Sequence, residues 1–169
     1  MKRYLILLLL ASVLLASCGY RVGGVLKPAM RGLKTYNVEM FANQSIFPNV
    51  AMQVTTAVAD TLQRDGSFSP APADKSDFTV RGTVMSVSGV GLRTNAGDTY
   101  LSSEVGLIVH VQFVIVNNRT GRVIINKAVN GEGSYFNESI GNAQTARESA
   151  LSYATRRAAE LLVQSITIP

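Results

Sequence analysis

Residues 103–121 have the sequence SEVGLIVHVQFVIVNNRTG, and this stretch decides the fold. From Val105 to Ile115 every second residue is apolar, which is the two-residue period of a half-buried β-strand. The final letters, NNRTG, supply the asparagine and glycine that tight turns favour. A second strand, with less regular alternation, follows from Arg122 to about Tyr135. The stretch therefore predicts a hairpin between two antiparallel strands.

Another strand upstream of this hairpin is predicted by the alternation in residues 77–90, DFTVRGTVMSVSGV. Its apolar residues lie first on one face and then shift by one position to Met85 and Val87, which predicts a β-bulge or a twist there. Residues 91–102, GLRTNAGDTYLS, predict a polar loop that contains Arg93. Together with the hairpin, the three strands predict an antiparallel meander.

Two segments have helical spacing. The first begins at Pro48, which suits the first turn of a helix, and it runs to Asp65 before the glycine at 66 ends it. The second covers residues 142–166, where alanines on one side predict close packing on a sheet. Residues 35–41, TYNVEMF, alternate and predict the first strand.

The predicted order of elements is β-α-β-β-β-α. Two amphipathic helices can cover one face of a sheet and share its core. The fold class is therefore α+β: a two-layer sandwich with a four-stranded, mixed but mostly antiparallel sheet covered on one face by two helices. The first strand, reached through a helix, is expected to pair in parallel with its neighbour.

The amino terminus, MKRYLILLLLASVLLASC, has the order of a secretory signal: two basic residues, an apolar run and small residues before Cys18. Its apolar run is shorter than the roughly 20 residues of a membrane span. The sequence predicts a signal peptide at residues 1–17, a glycine-rich tether at 18–34 and a single domain at 35–169. An ordinary secreted protein with a free thiol and a single-pass anchor are the alternatives.

The letters LASC resemble the lipobox of bacterial lipoproteins, which predicts that Cys18 is the lipidation site. Buried methylene groups each contribute about 0.8 kcal/mol of membrane affinity, so several acyl chains would hold the protein firmly. Glycine follows the cysteine, where an aspartate often marks retention at the inner membrane. The predicted location is the outer membrane, with the domain anchored by lipid and facing the periplasm.

Composition excludes several classes of protein. The formal net charge is +5, and it falls when Lys2 and Arg3 leave with the signal, so no nucleic-acid partner is indicated. Cys18 is the sole cysteine, so an intrachain disulfide is excluded. Hydrophobic residues make up 47% of the chain, which is enough to build a core.

No motif predicts catalysis, a metal or a cofactor. His110 is the only histidine, and its register places it opposite the apolar face without other histidine or cysteine ligands nearby in sequence. Serines are abundant, but no Gly-x-Ser-x-Gly motif occurs. Arg93 in the predicted loop is a possible phosphate ligand, because a guanidinium can contact phosphate through two N–H groups. The simpler interpretation is a solvated arginine.

Several segments together resemble the LptE family of lipopolysaccharide-assembly lipoproteins. They are the Cys-Gly-Tyr start at 18–20, the strand ending in FANQS at 41–45, the Pro48 helix, the NNRTG hairpin and the closing alanine-rich helix. The resemblance implies a non-catalytic outer-membrane lipoprotein that plugs an LptD β-barrel, helps to assemble it and serves lipopolysaccharide transport to the cell surface. Large outer-membrane barrels do have plugged lumens.

The same resemblance implies that Arg93 contacts lipopolysaccharide. A second basic position is expected between the last strand and the last helix, but residues 137–142 read NESIGN and contain no base. The plug role is independent of this departure.

The alternative function is that of a lipoprotein regulator of a periplasmic cell-wall synthase, a class that also joins a lipid to a small α+β domain. Such regulators tend to have long tethers that cross the periplasm. The tether predicted here is short, which favours the barrel partner.

Overall fold

The computed structural model of the chain describes residues 25–95, 98–136 and 143–168. The predicted signal peptide, Cys18 and the predicted loop at 137–142 lie outside these ranges. Two helices are present, α1 (Val50–Asp65) and α2 (Ala143–Gln164). The strands are β1 (Val25–Leu26), β2 (Thr35–Val38), β3 (Ala42–Asn43), β4 (Ser69–Pro70), β5 (Phe78–Asn95), β6 (Asp98–Asn117), β7 (Val123–Phe136) and β8 (Thr167–Ile168).

The main sheet runs in the order β4-β2-β5-β6-β7, and β3 also pairs with β5. Strands β5, β6 and β7 form the predicted antiparallel meander. Strands β2 and β3 both run parallel to β5, as expected for a strand that is followed by a helical crossover. The α+β architecture with a mixed sheet and two helices is therefore confirmed, but the main sheet has six strands instead of four.

One extra strand arises because the strand predicted at 35–41 ends early, at Val38, and a second short strand, β3, follows it. Between β2 and β3 the ring of Phe41 turns into the core, and its backbone N–H donates to Oγ1 of Thr55 in α1 at 3.0 Å. Gly82 of β5 makes room for that ring, because an added Cβ would overlap it. The remaining additions are β4, which pairs with β2, and the separate antiparallel pair β1·β8.

The predicted loop at 91–102 is wrong, because most of it is strand. β5 continues to Asn95 and β6 begins at Asp98, so the two form one long hairpin. Residues 89–93 of β5 are all exposed, so this part of the strand does not require apolar side chains. The predicted bulge is confirmed, since the register shifts between Val84 and Ser86.

Both helices lie on one face of the sheet. The helix α2 seats tightly on β7, where Gly131 and Gly133 face its backbone at Ala150 and Ala154. Every second side chain of β6 points towards the helices and completes the core from the sheet side. Fully buried side chains include Phe78, Phe113, Met30, Leu62, Ile115, Leu162, Ile166, Val50, Val54, Val58, Val80 and Val84. Among the described residues, no helix has the length and apolar character needed to cross a membrane.

The last part of the predicted tether packs against the domain. β1 pairs with β8 after the end of α2, and Met30 in a short 3-10 turn is fully buried. The chain then enters β2 beside the start of β5 and the turn at residues 117–121. We call this side of the domain the anchor end, because the predicted lipid site lies seven residues before Val25.

The carboxylate of Asp77 organises the anchor end. It accepts hydrogen bonds from the backbone N–H groups of Lys34 at 2.8 Å and Thr35 at 3.1 Å, and from the guanidinium of Arg119. The N–H of Lys34, then that of Thr35, and the contact with Arg119 lower the pKa of Asp77 to about 2. The ionised carboxylate thus joins the start of β2 to the turn after β6.

We expect the free energy of unfolding of the domain to decrease as the pH is lowered towards the pKa of Asp77. Because the pKa of Asp77 in the folded chain lies below its ordinary value, its contribution is complete above about pH 4. It is lost as the pH falls towards about 2. Urea unfolding midpoints between pH 5 and pH 2 measure the effect. The decrease in the unfolding midpoint between pH 5 and pH 2 should be smaller in Asp77→Asn than in Asp74→Asn, a change at an exposed carboxylate. Equal pH profiles for the two variants would contradict the assignment.

Candidate functional site

The face of the sheet that the helices leave open is the first candidate surface. Because side chains alternate along a strand, the residues opposite the core positions all project here. They are mostly polar in the middle of the sheet. This open face contains Arg81, Thr83 and Ser88 of β5, His110 and Gln112 of β6, and Asn126, Asn130, Glu132 and Ser134 of β7.

His110 lies in the centre of the open face, on the side that its register predicts. One ring nitrogen, Nε2, is 3.1 Å from Ser88 Oγ, and the other, Nδ1, is 2.9 Å from Asn130 Oδ1. The imidazole therefore links three adjacent strands through hydrogen bonds. Within the described ranges, no group of three histidine, cysteine, aspartate or glutamate residues could hold a metal ion. These hydrogen bonds give His110 a structural role in the sheet.

Arg93 lies on a strand and not in a loop. Its Nε is 3.3 Å from Oε2 of Glu104, the residue opposite on β6. The other oxygen of Glu104 accepts a hydrogen bond from Ser134 Oγ at 3.0 Å. The Arg93 side chain is 71% exposed and that of Glu104 only 15%. The pair therefore leaves the guanidinium in solvent while the carboxylate holds it in place on the hairpin.

The sequence interpretation missed Glu104 as the partner of Arg93, because it placed Arg93 in a loop. A signal was available in residues 98–102, DTYLS, where threonine and tyrosine favour a strand. Such a segment extends the predicted strand towards its amino-terminal end. The residue opposite Arg93 can then be found by counting residues along both strands from the tip of the hairpin.

Exposed apolar side chains concentrate in the part of the domain that is far from the anchor end. They include Ile46 and Met52, next to the start of α1, and Val90 and Leu92 on the hairpin. A cavity of about 380 Å³ also opens there. It is lined by Val90, Leu92, Gly106, Leu107, Ile108, Glu132, Gly133, Ser134 and Tyr153. We call this part, from Met85 to the hairpin tip together with the loop before α1, the distal half.

One protein-family model matches most of the chain. The model described as LptE, lipopolysaccharide-assembly, matches residues 33–166, which include every element from β2 to α2. The chain belongs to the LptE family. The resemblance of its sequence to LptE is thereby confirmed, and its role is lipopolysaccharide assembly. No curated protein sequence matches the chain.

Solved structures with this LptE fold have little sequence in common with the chain. The PelC dodecamer from Paraburkholderia phytofirmans is 16% identical, with a TM-score of 0.53 over 86% of this chain and 96% of that one. Rare lipoprotein B from Shewanella oneidensis is also 16% identical, with a TM-score of 0.50 over 76% and 92%. A Xanthomonas campestris protein is 12% identical, with a TM-score of 0.54 over 85% and 90%. These similarities show the fold alone.

Proposed function

We propose that this LptE-family chain is a non-catalytic lipoprotein of the outer membrane, anchored through Cys18 and facing the periplasm. In this role it plugs an LptD-type β-barrel and helps to assemble it for lipopolysaccharide transport to the cell surface. The observation that carries the proposal is the separation of the anchor end from the exposed apolar side chains of the distal half.

The lengths of the chain segments show how far the anchor end is from the tip of the hairpin. Seven residues connect Cys18 to Val25, and an extended chain of that length spans at most about 25 Å. Strand β6 has 20 residues, which at 3.3 Å per residue correspond to roughly 65 Å. A lipid at Cys18 would therefore hold the anchor end near the bilayer surface, with Leu92 towards the far end of the hairpin. The exposed side chain of Leu92 is the contact that we propose for a protein partner.

The open face supports a position inside a barrel. The interiors of outer-membrane barrels are polar. The polar side chains of the open face, with His110 at their centre, suit such a lumen. A sandwich with one polar sheet face and one helical face can fill a wide barrel without a second apolar core.

A solubilised pull-down tests this function. Tagged full-length chain, extracted from membranes in mild detergent, should retain an outer-membrane β-barrel protein. Recovery of a penicillin-binding protein in its place would overturn the proposal in favour of the cell-wall regulator. A chain with Cys18→Ser should lose the acyl mass on intact-protein mass spectrometry, and an unchanged mass distribution would disprove the anchor.

Arg93 is proposed to contact lipopolysaccharide phosphate. A charge-assisted hydrogen bond contributes about 1.5–3 kcal/mol, and 1.4 kcal/mol is a factor of ten in affinity. Because Glu104 already pairs with the guanidinium, we expect Arg93→Ala to weaken lipopolysaccharide binding by about threefold to tenfold. Capture of labelled lipopolysaccharide on the immobilised protein measures this.

The matched control for Arg93 is Arg81→Ala. Arg81 is also an exposed arginine of β5, and it pairs with Glu39 through two contacts of 2.8 Å. Its removal should leave lipopolysaccharide binding near the wild-type value. Equal affinities for both variants and the wild type would remove Arg93 from the binding site.

A further inference from the structure

Three loops meet at the anchor end of the domain. We call them the anchor loops, and they comprise residues 27–34, 71–77 and 118–122. Asp77 joins all three, because its carboxylate accepts the N–H of Lys34 at 2.8 Å and a guanidinium N–H of Arg119. Its carbonyl oxygen also accepts the N–H of Asn118 at 2.9 Å. The anchor loops are therefore held side by side at one end of the domain.

The anchor loops have a marked excess of positive charge. Their six basic residues are Lys27, Arg31, Lys34, Lys75, Arg119 and Arg122, and their two acidic residues are Asp74 and Asp77. In the rest of the described chain, eight acidic residues face seven basic ones. The last turn of α1 also reaches the anchor end, where the charges of Arg64 and Asp65 cancel. The net positive charge of the described residues thus lies in the anchor loops.

Most of these cations face solvent. Arg31, Lys34, Lys75 and Arg122 are exposed residues. Among the ion pairs of the described residues, the one that involves the anchor loops joins Arg119 to Asp77. A group of exposed cations with few anions beside it creates a positive potential over the surface that it covers. This end of the domain therefore attracts a surface that carries many negative charges.

The predicted lipid site leads into the same end of the domain. β1 pairs with β8, and the N–H of Lys27 donates to the carbonyl oxygen of Ile166 at 3.3 Å, so the chain is fixed where it enters the anchor loops. The seven residues between Cys18 and Val25 span at most about 25 Å. Attraction between exposed charges extends about 8 Å at physiological ionic strength. A bilayer that holds acyl chains at Cys18 is therefore a charged surface that the anchor loops can reach.

We propose that the anchor loops bind the headgroups of an anionic phospholipid leaflet, so that the acylated chain holds its domain against the bilayer. This contact rests on the lipid anchor proposed at Cys18 and does not involve the barrel. Lysine and arginine bind phosphate through charge-assisted hydrogen bonds. Each one close to an anionic leaflet strengthens binding by about fivefold. Because the cations are spread over three loops, many headgroups engage more of them than one small anion can.

The test uses the chain from residue 18 onward with Cys18→Ser, which retains every described element and carries no acyl chain. Sedimentation measures its binding to vesicles of phosphatidylcholine alone and to vesicles of equal parts phosphatidylcholine and phosphatidylglycerol. We expect the anionic vesicles to bind at least about twentyfold more tightly in about 0.1 M NaCl, and the difference to vanish in about 1 M NaCl, where charges are screened beyond about 3 Å. Since acylation is absent, a negative result refutes this contact and leaves the mass measurement on Cys18 to test the anchor.

Two double variants locate the surface. Lys34→Gln combined with Lys75→Gln should weaken binding to the anionic vesicles by about twentyfold, because two cations are removed from the anchor loops. The control combines Arg147→Gln with Arg156→Gln on α2, which changes the net charge equally but outside the anchor loops. It should weaken binding by less than about threefold. Thermal midpoints near that of the parent chain show that both variants are folded.

Four results would overturn the proposal. They are equal binding to neutral and anionic vesicles, unchanged binding in the Lys34 and Lys75 variant, an equal loss in the Arg147 and Arg156 control, and release from the vesicles by inorganic phosphate at constant ionic strength. The last result would mean that the anchor loops hold separate small anions and not a lipid surface.

Discussion

Gly131→Ala is expected to destabilise the domain by about 3 kcal/mol, the largest loss of stability from a single added methyl group in the described sheet. A Cβ at this position would overlap the carbonyl oxygen of Ala154 and lie 2.5 Å from the backbone nitrogen of Ala158. Both atoms belong to the backbone of α2, so no side chain can rotate away. The helix has to move, and the packing of its buried face is lost.

Chemical denaturation of the purified domain measures this effect. The control is Gly89→Ala in β5, where the nearest atom to the added Cβ is 3.9 Å away. This substitution should change the free energy of unfolding by less than about 0.5 kcal/mol, or stabilise slightly through the unfolded chain. Similar losses for the two glycines would mean that α2 is not held as closely to β7 as the structure indicates.

Ile46→Asp and Leu92→Asp should each reduce recovery of the barrel partner by about tenfold, while the free energy of unfolding changes little. Ile46 is 89% exposed and Leu92 is 54% exposed, so neither contributes much to the core. Apolar residues at the centre of an interface often account for 2 kcal/mol or more of binding, and a buried, unpaired carboxylate adds a further cost. Quantitative pull-downs from membranes with equal amounts of each variant measure the loss.

The control for these variants is Val123→Asp. Val123 is 57% exposed and lies at the start of β7, at the anchor end. The same charge is thus introduced on the opposite side of the domain, at an apolar residue about as exposed as Leu92. If Val123→Asp lowers recovery as much as Ile46→Asp does, the distal half is not the part that enters the barrel.

Much of the candidate site followed from local patterns. The alternation in β6 placed His110 on the face opposite Val109 and Val111, and this is where it lies. Membership of the LptE family also followed from the order of elements. The environment of Arg93 did not, because its partner Glu104 is eleven residues away across a hairpin whose length depends on cross-strand hydrogen bonds.

The sequence by itself determined the two helices, the three strands of the meander and which side of each faces the core, because periodicity and turn residues act over a few neighbouring positions. The tertiary structure alone decided where the first strand ends and how far the hairpin extends. The first of these features depends on a contact between residues far apart along the chain, that of Phe41 with Gly82. The energies of both features come from packing and from paired polar groups, which no short window of sequence contains.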